Sequence, residues 1–476
     1  MIQPSLQPQP VKAACAPRRR WAFGLTSRSV GLLIAGFVLL IPGFWYSELS
    51  YAMLAWDALV LLAAFLDGRR LPRAAQLIAG RSWTNAPALD SATEIELTVE
   101  NRGRTIIHCR LDDDLPAALV AEPATQRITA FPNAPATVRY KIAPQERGDW
   151  DAHSVYIAYR SPLGLAERWA VAQLGQRVRV YPALRTGEEQ KLFLARSRQI
   201  DLQLRQARQR GLGRDFESLR EYREGDDLRD ICWTATARRG SPITRQYQTE
   251  RSQPVWIVLD CGRLMRSRVA AQASTAYGGP LDQSVSVPVH SKLDFACTTA
   301  VSLAQLALYS GDRVGLLAYG QGTQQRLLPG RGASHLRQMI EALAQVKAEG
   351  SEADHLRATA VLNRLQPRRS LILWITDLAE TAMRPEVIDG AVQLLRRHVL
   401  LFVAMAQPEV EKIAEARPKN VEQMFRAAAA QEMAGRREVL LARLHEQGAL
   451  TLDLNPEALT STVLNQYLTV KERAMV

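Results

Sequence analysis

The sequence has few of the features that would make it an enzyme of a familiar kind. No GxxxxGK[ST] loop occurs, so nothing here can cradle ATP phosphates in the usual way, and Gly330-Arg331-Gly332 lacks the lysine. No HExxH is present, since His445-Glu446 runs on into Gln447, Gly448 and Ala449, and there is no GxSxG elbow. The seven histidines show no ligand spacing. Cysteine is scarce as well: Cys15, Cys109, Cys232, Cys261 and Cys297 lie far apart, with no CxxC pair and an odd total, which favours reduced thiols over a disulfide framework. Cys261, at a strand end, could serve as a redox or nucleophilic thiol, but no histidine is close in sequence.

What is present is length and a positive balance. With 476 residues the chain can build two or three domains, each with its own core. The net charge of +12 is spread over arginines flanking an apolar segment and over helices that also carry acids, so no nucleic-acid partner is expected.

Residues 1–28 read as a basic tail, with Cys15 a free thiol in it, and residues 29–67 as a two-helix transmembrane hairpin, with apolar runs at Val30 to Tyr46 and Tyr51 to Leu66. Lys12, Arg18, Arg19, Arg20 and Arg28 precede it and Arg69, Arg70 and Arg73 follow, whereas the link offers only Glu48. The positive-inside rule puts both ends in the cytoplasm. No small-residue cleavage site follows the first run, which argues against a signal peptide. Asp57 falls inside the second run, where a charge costs roughly 2.5–3.5 kcal/mol, so it should face a neighbour within the hairpin or across an oligomer contact.

From 88 to 183, short alternating segments separated by Asn101-Arg102-Gly103 and Arg147-Gly148-Asp149 turns point to a β-sandwich with no catalytic spacing. Residues 187–253 form a charged connector that opens with Arg196, Arg198, Arg205, Arg208 and Arg210, either a solvated helix face or a contact for anionic lipid. From 254 to 476, apolar runs alternate with amphipathic helices as in a doubly wound α/β sheet. The strands ending at Asp260 and Asp377 place two carboxylates where such a sheet puts its site. The stretch from Arg263 to Ser291, with Gly278-Gly279-Pro280, reads as an insertion beside it.

The run Gly211-Leu212-Gly213-Arg214-Asp215-Phe216-Glu217-Ser218-Leu219-Arg220-Glu221-Tyr222-Arg223-Glu224-Gly225-Asp226-Asp227-Leu228-Arg229-Asp230-Ile231-Cys232-Trp233, followed by Ala237-Arg238, resembles the signature of the bacterial family called domain of unknown function 58. Pro162-Leu163-Gly164-Leu165 in the β-rich block is similar to that family too. The resemblance implies a bacterial inner-membrane protein, multi-pass, with its bulk in the cytoplasm and a von Willebrand factor A-like domain at the end. It also implies a MoxR-type AAA+ ATPase as partner. Within the signature, Arg220, Glu221, Asp226, Asp227, Arg229 and Trp233 form either an internal lock or a partner-binding face, with Trp233 as an anchor in both cases. Von Willebrand A domains often hold magnesium through Asp-x-Ser-x-Ser and a threonine from a second loop. Here the first loop is Asp260-Cys261-Gly262-Arg263-Leu264, and no threonine lies between Thr323 and Thr359. A magnesium ion needs several oxygen ligands, so Asp260 and Asp377 make a degenerate site, and no cofactor is expected. The expected function is therefore a non-enzymatic membrane-anchored adaptor, with a magnesium-dependent ligand-binding domain as the alternative.

Overall fold

The computed structural model describes residues 8–18, 23–38, 47–119, 125–183, 193–197, 199, 215–223, 228, 231–248, 254–270, 289–378 and 386–473. The chain divides into two compact units, Met1–Ala183 and Leu184–Val476.

The first unit opens with strands β1 (Val11–Ala14), β2 (Ala16–Pro17) and β3 (Phe23–Leu25), then helices α1 (Ser27–Phe37) and α2 (Ser47–Arg70). Strands β4 (Leu77–Trp83), β5 (Thr93–Asn101), β6 (Ile107–Asp113), β7 (Thr125–Ala130), β8 (Pro135–Ile142), β9 (Gly148–Arg160) and β10 (Ala166–Val180) follow. One antiparallel sheet has the order β1-β4-β5-β8; the other runs β2-β10-β9-β6-β7, with β3 also on β10. Their inward residues, Leu77, Ile95, Leu97 and Val99 from the first and Ile107, Ile157 and Val178 from the second, share one core. The period-two burial of β5, buried at every odd residue from Thr93 to Asn101, is what a one-sided sheet demands. Among the buried side chains Arg81 pairs with Asp113, which also accepts from Tyr140 Oη at 2.6 Å.

Residues 11–17 and 23–25 correct the expectation of a tail. Val11 and Ala13 pack against the core and Cys15 is buried within it, so the segment is tied down by β1–β4 and β3–β10 pairing despite its basic flank. Burial holds the Cys15 thiol at about 11.

Helix α2 contains the stretch Tyr51–Arg70, long and apolar enough to cross a membrane, with a mean hydropathy of 1.5. It leaves Leu54, Leu59, Leu62, Phe65 and Leu66 exposed. Part of the first apolar run, 39–46, lies outside the described residues. Helix α1 packs on α2 where Trp56 Nε1 donates to Leu32 O at 2.9 Å and Gly36 leaves room for Trp56 and Asp57. Asp57 Oδ1 is buried with no hydrogen-bond partner among the described residues.

In the second unit, β11 (Asp215–Glu221) and β12 (Ile243–Gln248) form a two-stranded antiparallel sheet, with helix α3 (Trp233–Arg239) between them in sequence. The main body comprises β13 (Pro254–Asp260), β14 (Arg268–Ala270), β15 (Val289–Ser291), α4 (Lys292–Tyr309), β16 (Arg313–Tyr319), β17 (Thr323–Gly330), α5 (Gly332–Gln345), α6 (His355–Leu365) and β18 (Leu371–Thr376). It continues with α7 (Glu386–Leu395), β19 (Val399–Met405), α8 (Pro408–Glu415), α9 (Val421–Glu446), β20 (Leu450–Leu454) and α10 (Leu459–Glu472). Its sheet has the order β17-β16-β13-β18-β19-β20, parallel except for the edge strand β17. Strands β18 and β19 are buried at every residue, as strands covered on both faces must be. Trp256, Trp374 and Phe402 pack with α6, α7 and α9, while α4 lies against β13 and β16 and carries α5 and α10. The chain passes from β13 to β16 on one side and returns to β18 on the other. The crevice at the carboxyl ends of β13 and β18 is thus a switch point.

Candidate functional site

Asp260 ends β13 and Asp377 follows β18, so adjacent parallel strands bring the two carboxylates to one crevice, lining a cavity of about 450 Å³ with Gly262, Arg263, Asp354 and His355. Both are buried, 4% and 1% exposed. Their surroundings differ. Asp260 accepts from Gly262 N at 2.7 Å and from Thr376 Oγ1 at 2.6 Å. Burial pushes its carboxyl above the ordinary value, against the pull of His355 and these two donors. His355 is held below its ordinary value by burial, Asp260 opposing, and its Nδ1 meets Tyr319 Oη at 2.9 Å. Trp374 Nε1 donates to the same Tyr319 oxygen at 2.7 Å, and burial raises that phenol well above its usual range.

Asp377 instead receives a cation. Lys292, only 1% exposed, donates its ammonium to Asp377 Oδ2. Gln407 Nε2 adds a bond at 3.2 Å, and Arg437 Nη1 stands 3.7 Å from Oδ1. Arg437 is itself gripped by Asp453 through Nε at 2.8 Å and Nη2 at 2.6 Å. A charged chain therefore runs from α4 through the end of β18 to α9 and β20. Burial lowers the Lys292 pKa and Asp377 raises it. A second cavity, of about 500 Å³, lies between α8, α9 and β20, with Arg437 and Asp453 at its polar end and Met433 and Leu441 on its apolar wall.

Lys292, directly after the insertion, was missed in the sequence. The available signal was its place directly after Ser291, which caps α4 with Asp294. A lysine in a first helical turn is disfavoured by the helix dipole unless a carboxylate faces it.

The residues present do not fit a magnesium ion. The position after Cys261 is closed: a Cβ at Gly262 would stand 2.9 Å from Ala353 N, because the 349–354 loop is bonded to the 261–263 turn through Glu349 N to Cys261 O and Arg263 N to Ser351 O. Leu264 contributes no oxygen from its side chain, Thr376 is spent on Asp260, and an ammonium already sits on Asp377. No cluster of three or more His, Cys, Asp or Glu suited to a metal occurs among the described residues. Cys261 is fully buried, its thiol directed to Leu259 O at 3.6 Å.

Of the signature residues, Arg220 and Glu221 lie at the end of β11 with Arg220 Nη1 on Glu221 O at 3.3 Å. Asp226, Asp227 and Arg229 lie outside the described residues, as do 271–288 of the insertion, whose ends are joined by β14–β15 pairing. Trp233, expected as an anchor of either an internal lock or a partner face, is 70% exposed at the start of α3, a helix that buries none of its residues, while Cys232 and Ile243 are buried. Arg196, read as a solvated or lipid-facing arginine, bonds Asn465 at 3.2 Å and stands 3.7 Å from Glu472.

Residues 218–422 match the family model described as "Protein of unknown function DUF58". The uncharacterized protein Mb1516 of Mycobacterium bovis is 26% identical over 202 residues, 42% of this chain and 56% of the relative, so the chain spans little more than half the length of that relative. The uncharacterized protein YeaD of Bacillus subtilis is 21% identical over 335 residues, 67% of this chain and 73% of its own. Among solved structures, the conserved hypothetical protein BatB of Bacteroides thetaiotaomicron is 13% identical, covering 47% of this chain and all of its own, at a TM-score of 0.28. An uncharacterized membrane spanning protein of Vibrio fischeri is 12% identical, covering 45% and 96%, at 0.17. Structural likeness at these scores carries no argument.

Proposed function

We propose that this chain is a non-enzymatic adaptor of the bacterial inner membrane, anchored by a helical hairpin, that presents a von Willebrand factor A-like domain to a MoxR-type AAA+ ATPase without using a metal. A β-sandwich lies between anchor and connector in this reading. The observation that carries it is Lys292, whose buried side chain is bonded to Asp377 and so occupies a carboxylate that a metal would need. Exposed Trp233, Glu221 and Arg223 on the signature segment suit a docking face, with Arg220 beside them. The Asp57 oxygen buried at the α1–α2 seam suits a contact within the helical hairpin.

The test is capture of the nucleotide-free ATPase by the full chain in detergent, with and without EDTA. Capture that is indifferent to EDTA is the expected result. Capture abolished by EDTA, restored by magnesium and lost in Asp260→Ala would establish the metal-dependent alternative instead.

A further inference from the structure

Between β9 and β10 the chain turns through Ser161-Pro162-Leu163-Gly164-Leu165, with Gly164 at a φ of +67°. Both helices grip this turn. From the start of α1, Thr26 Oγ1 donates to Gly164 O at 2.6 Å and Ser29 Oγ donates to Leu165 O. From the last turns of α2, Asp67, 3% exposed, accepts from Ser161 Oγ and from Leu165 N at 3.1 Å. The entry of one helix and the exit of the other thus meet on one loop, which brings both to the same side of any bilayer they cross.

The loop does not spend its apolar tip on the core. Leu163 is 58% exposed, Pro162 is exposed beside it, and Leu25, paired with Ala166, is 40% exposed. This tip adjoins the foot of α2, where Leu62, Phe65 and Leu66 also face outward. Arginines surround it: a Cβ at Gly164 would stand 3.3 Å from Arg28 Nη1, and Arg69 and Arg70 are exposed in the last turn of α2. The Arg69 guanidinium lies 5.8 Å from the Phe65 ring centroid, apolar stem along the helix and charge at its end. An apolar tip ringed by arginines at the base of a spanning helix has the composition of an interfacial segment facing anionic lipid.

We infer that the 161–165 loop is a membrane-contact element: Leu163 and Leu25 enter the boundary between headgroups and acyl chains, and Arg28, Arg69 and Arg70 bind anionic headgroups around them. The inference rests on the membrane reading proposed above. The clamp by Thr26, Ser29 and Asp67 gives the contact a purpose, because a loop held by both helices fixes the β-rich unit at one depth and angle.

The test uses the full chain carrying Leu163→Cys, labelled with a polarity-sensitive NBD probe and reconstituted into vesicles of phosphatidylethanolamine and phosphatidylglycerol. The native cysteines are all buried, so the label goes to position 163. Expected are a blue shift relative to the same label at Phe131→Cys, a position 55% exposed, and stronger quenching by nitroxides near the headgroup than by nitroxides deep in the acyl chain. A label as wet at 163 as at 131, in protein that resists carbonate extraction, overturns the inference and leaves the anchor standing. Protein stripped from the vesicles by carbonate overturns both.

Discussion

Replacing Lys292 by methionine keeps the stem that packs between α4 and the sheet and removes only the charge. Asp377, with its side chain fully buried, then keeps Gln407 at 3.2 Å and Arg437 at 3.7 Å, the latter already committed to Asp453. Breaking a buried pair from one side costs about 3–5 kcal/mol, because a desolvated charge is left behind. The remaining Arg437 places this case at the lower end, about 3 kcal/mol. For a unit of this size, each kcal/mol moves the midpoint by roughly 2–4 °C, so the transition of the α/β unit should fall by roughly 6–12 °C. Scanning calorimetry of the solubilised chain reads this directly. The decisive comparison is the double variant Lys292→Met with Asp377→Leu. Removing both charges leaves Arg437 with Asp453 and costs Gln407 an acceptor, and most of the lost stability should return. A single variant that melts with the wild type, or a double variant no better than the single, would refute the claim that the ammonium and carboxylate hold this crevice together.

Restoring the hydroxyl positions should not restore a metal site: Gly262→Ser with Leu264→Ser should lose about 1–3 kcal/mol by crowding Ala353 and show no magnesium-dependent melting shift, which thermal unfolding with and without the ion will check. Burial, reinforced by Arg397, holds the buried His398 below its ordinary value, with Ser370 Oγ at 2.9 Å from its Nδ1. The unfolded chain therefore takes up this proton first, so stability is flat above about pH 6.5 and falls as the pH drops below it. His398→Gln should flatten that fall when melting is compared at several pH values. Exchanging Asp226 and Asp227 for lysine should weaken capture of the ATPase with an unchanged melting temperature if the signature is a docking face, since rim charges act mainly on encounter. A lowered melting temperature with normal capture would make it an internal lock.

The strands most easily read in advance were those whose environment is uniform. Leu371 to Thr376 is apolar throughout because helices cover it on both faces, and its placement beside β13 follows from the alternation of strands and helices around it. That alternation is also why Asp260 and Asp377 could be put at one crevice. Edge strand β17 escaped notice because Gln324, Gln325 and Arg326 need no burial on an edge and look like a loop. Strands β1 to β3 escaped because they are short and set among arginines and prolines, their partners lying more than sixty residues away. Lys292 was illegible for a different reason. A buried charge is defined by its partner, and that partner arrives from a strand 85 residues later in the chain.

The closing helix α10 does more than end the unit. Thr460 meets Thr299 at 2.9 Å, and Tyr467 and Lys471 both bond Asp312 just beyond α4, so α4, made early in the unit and covered in part by α5, completes its cover with residues 459–472. Strand β20 likewise pairs with β19 only after the long α9 has been synthesised. During translation the open edge of β19 waits roughly 45 residues for β20, about 2–9 s at ordinary elongation rates, and α4 waits roughly 150 for α10, about 8–30 s. The α/β unit thus completes itself late, and its most vulnerable moment is a nascent one, when slowed elongation or truncation before 459 would leave α4 without α10 against it.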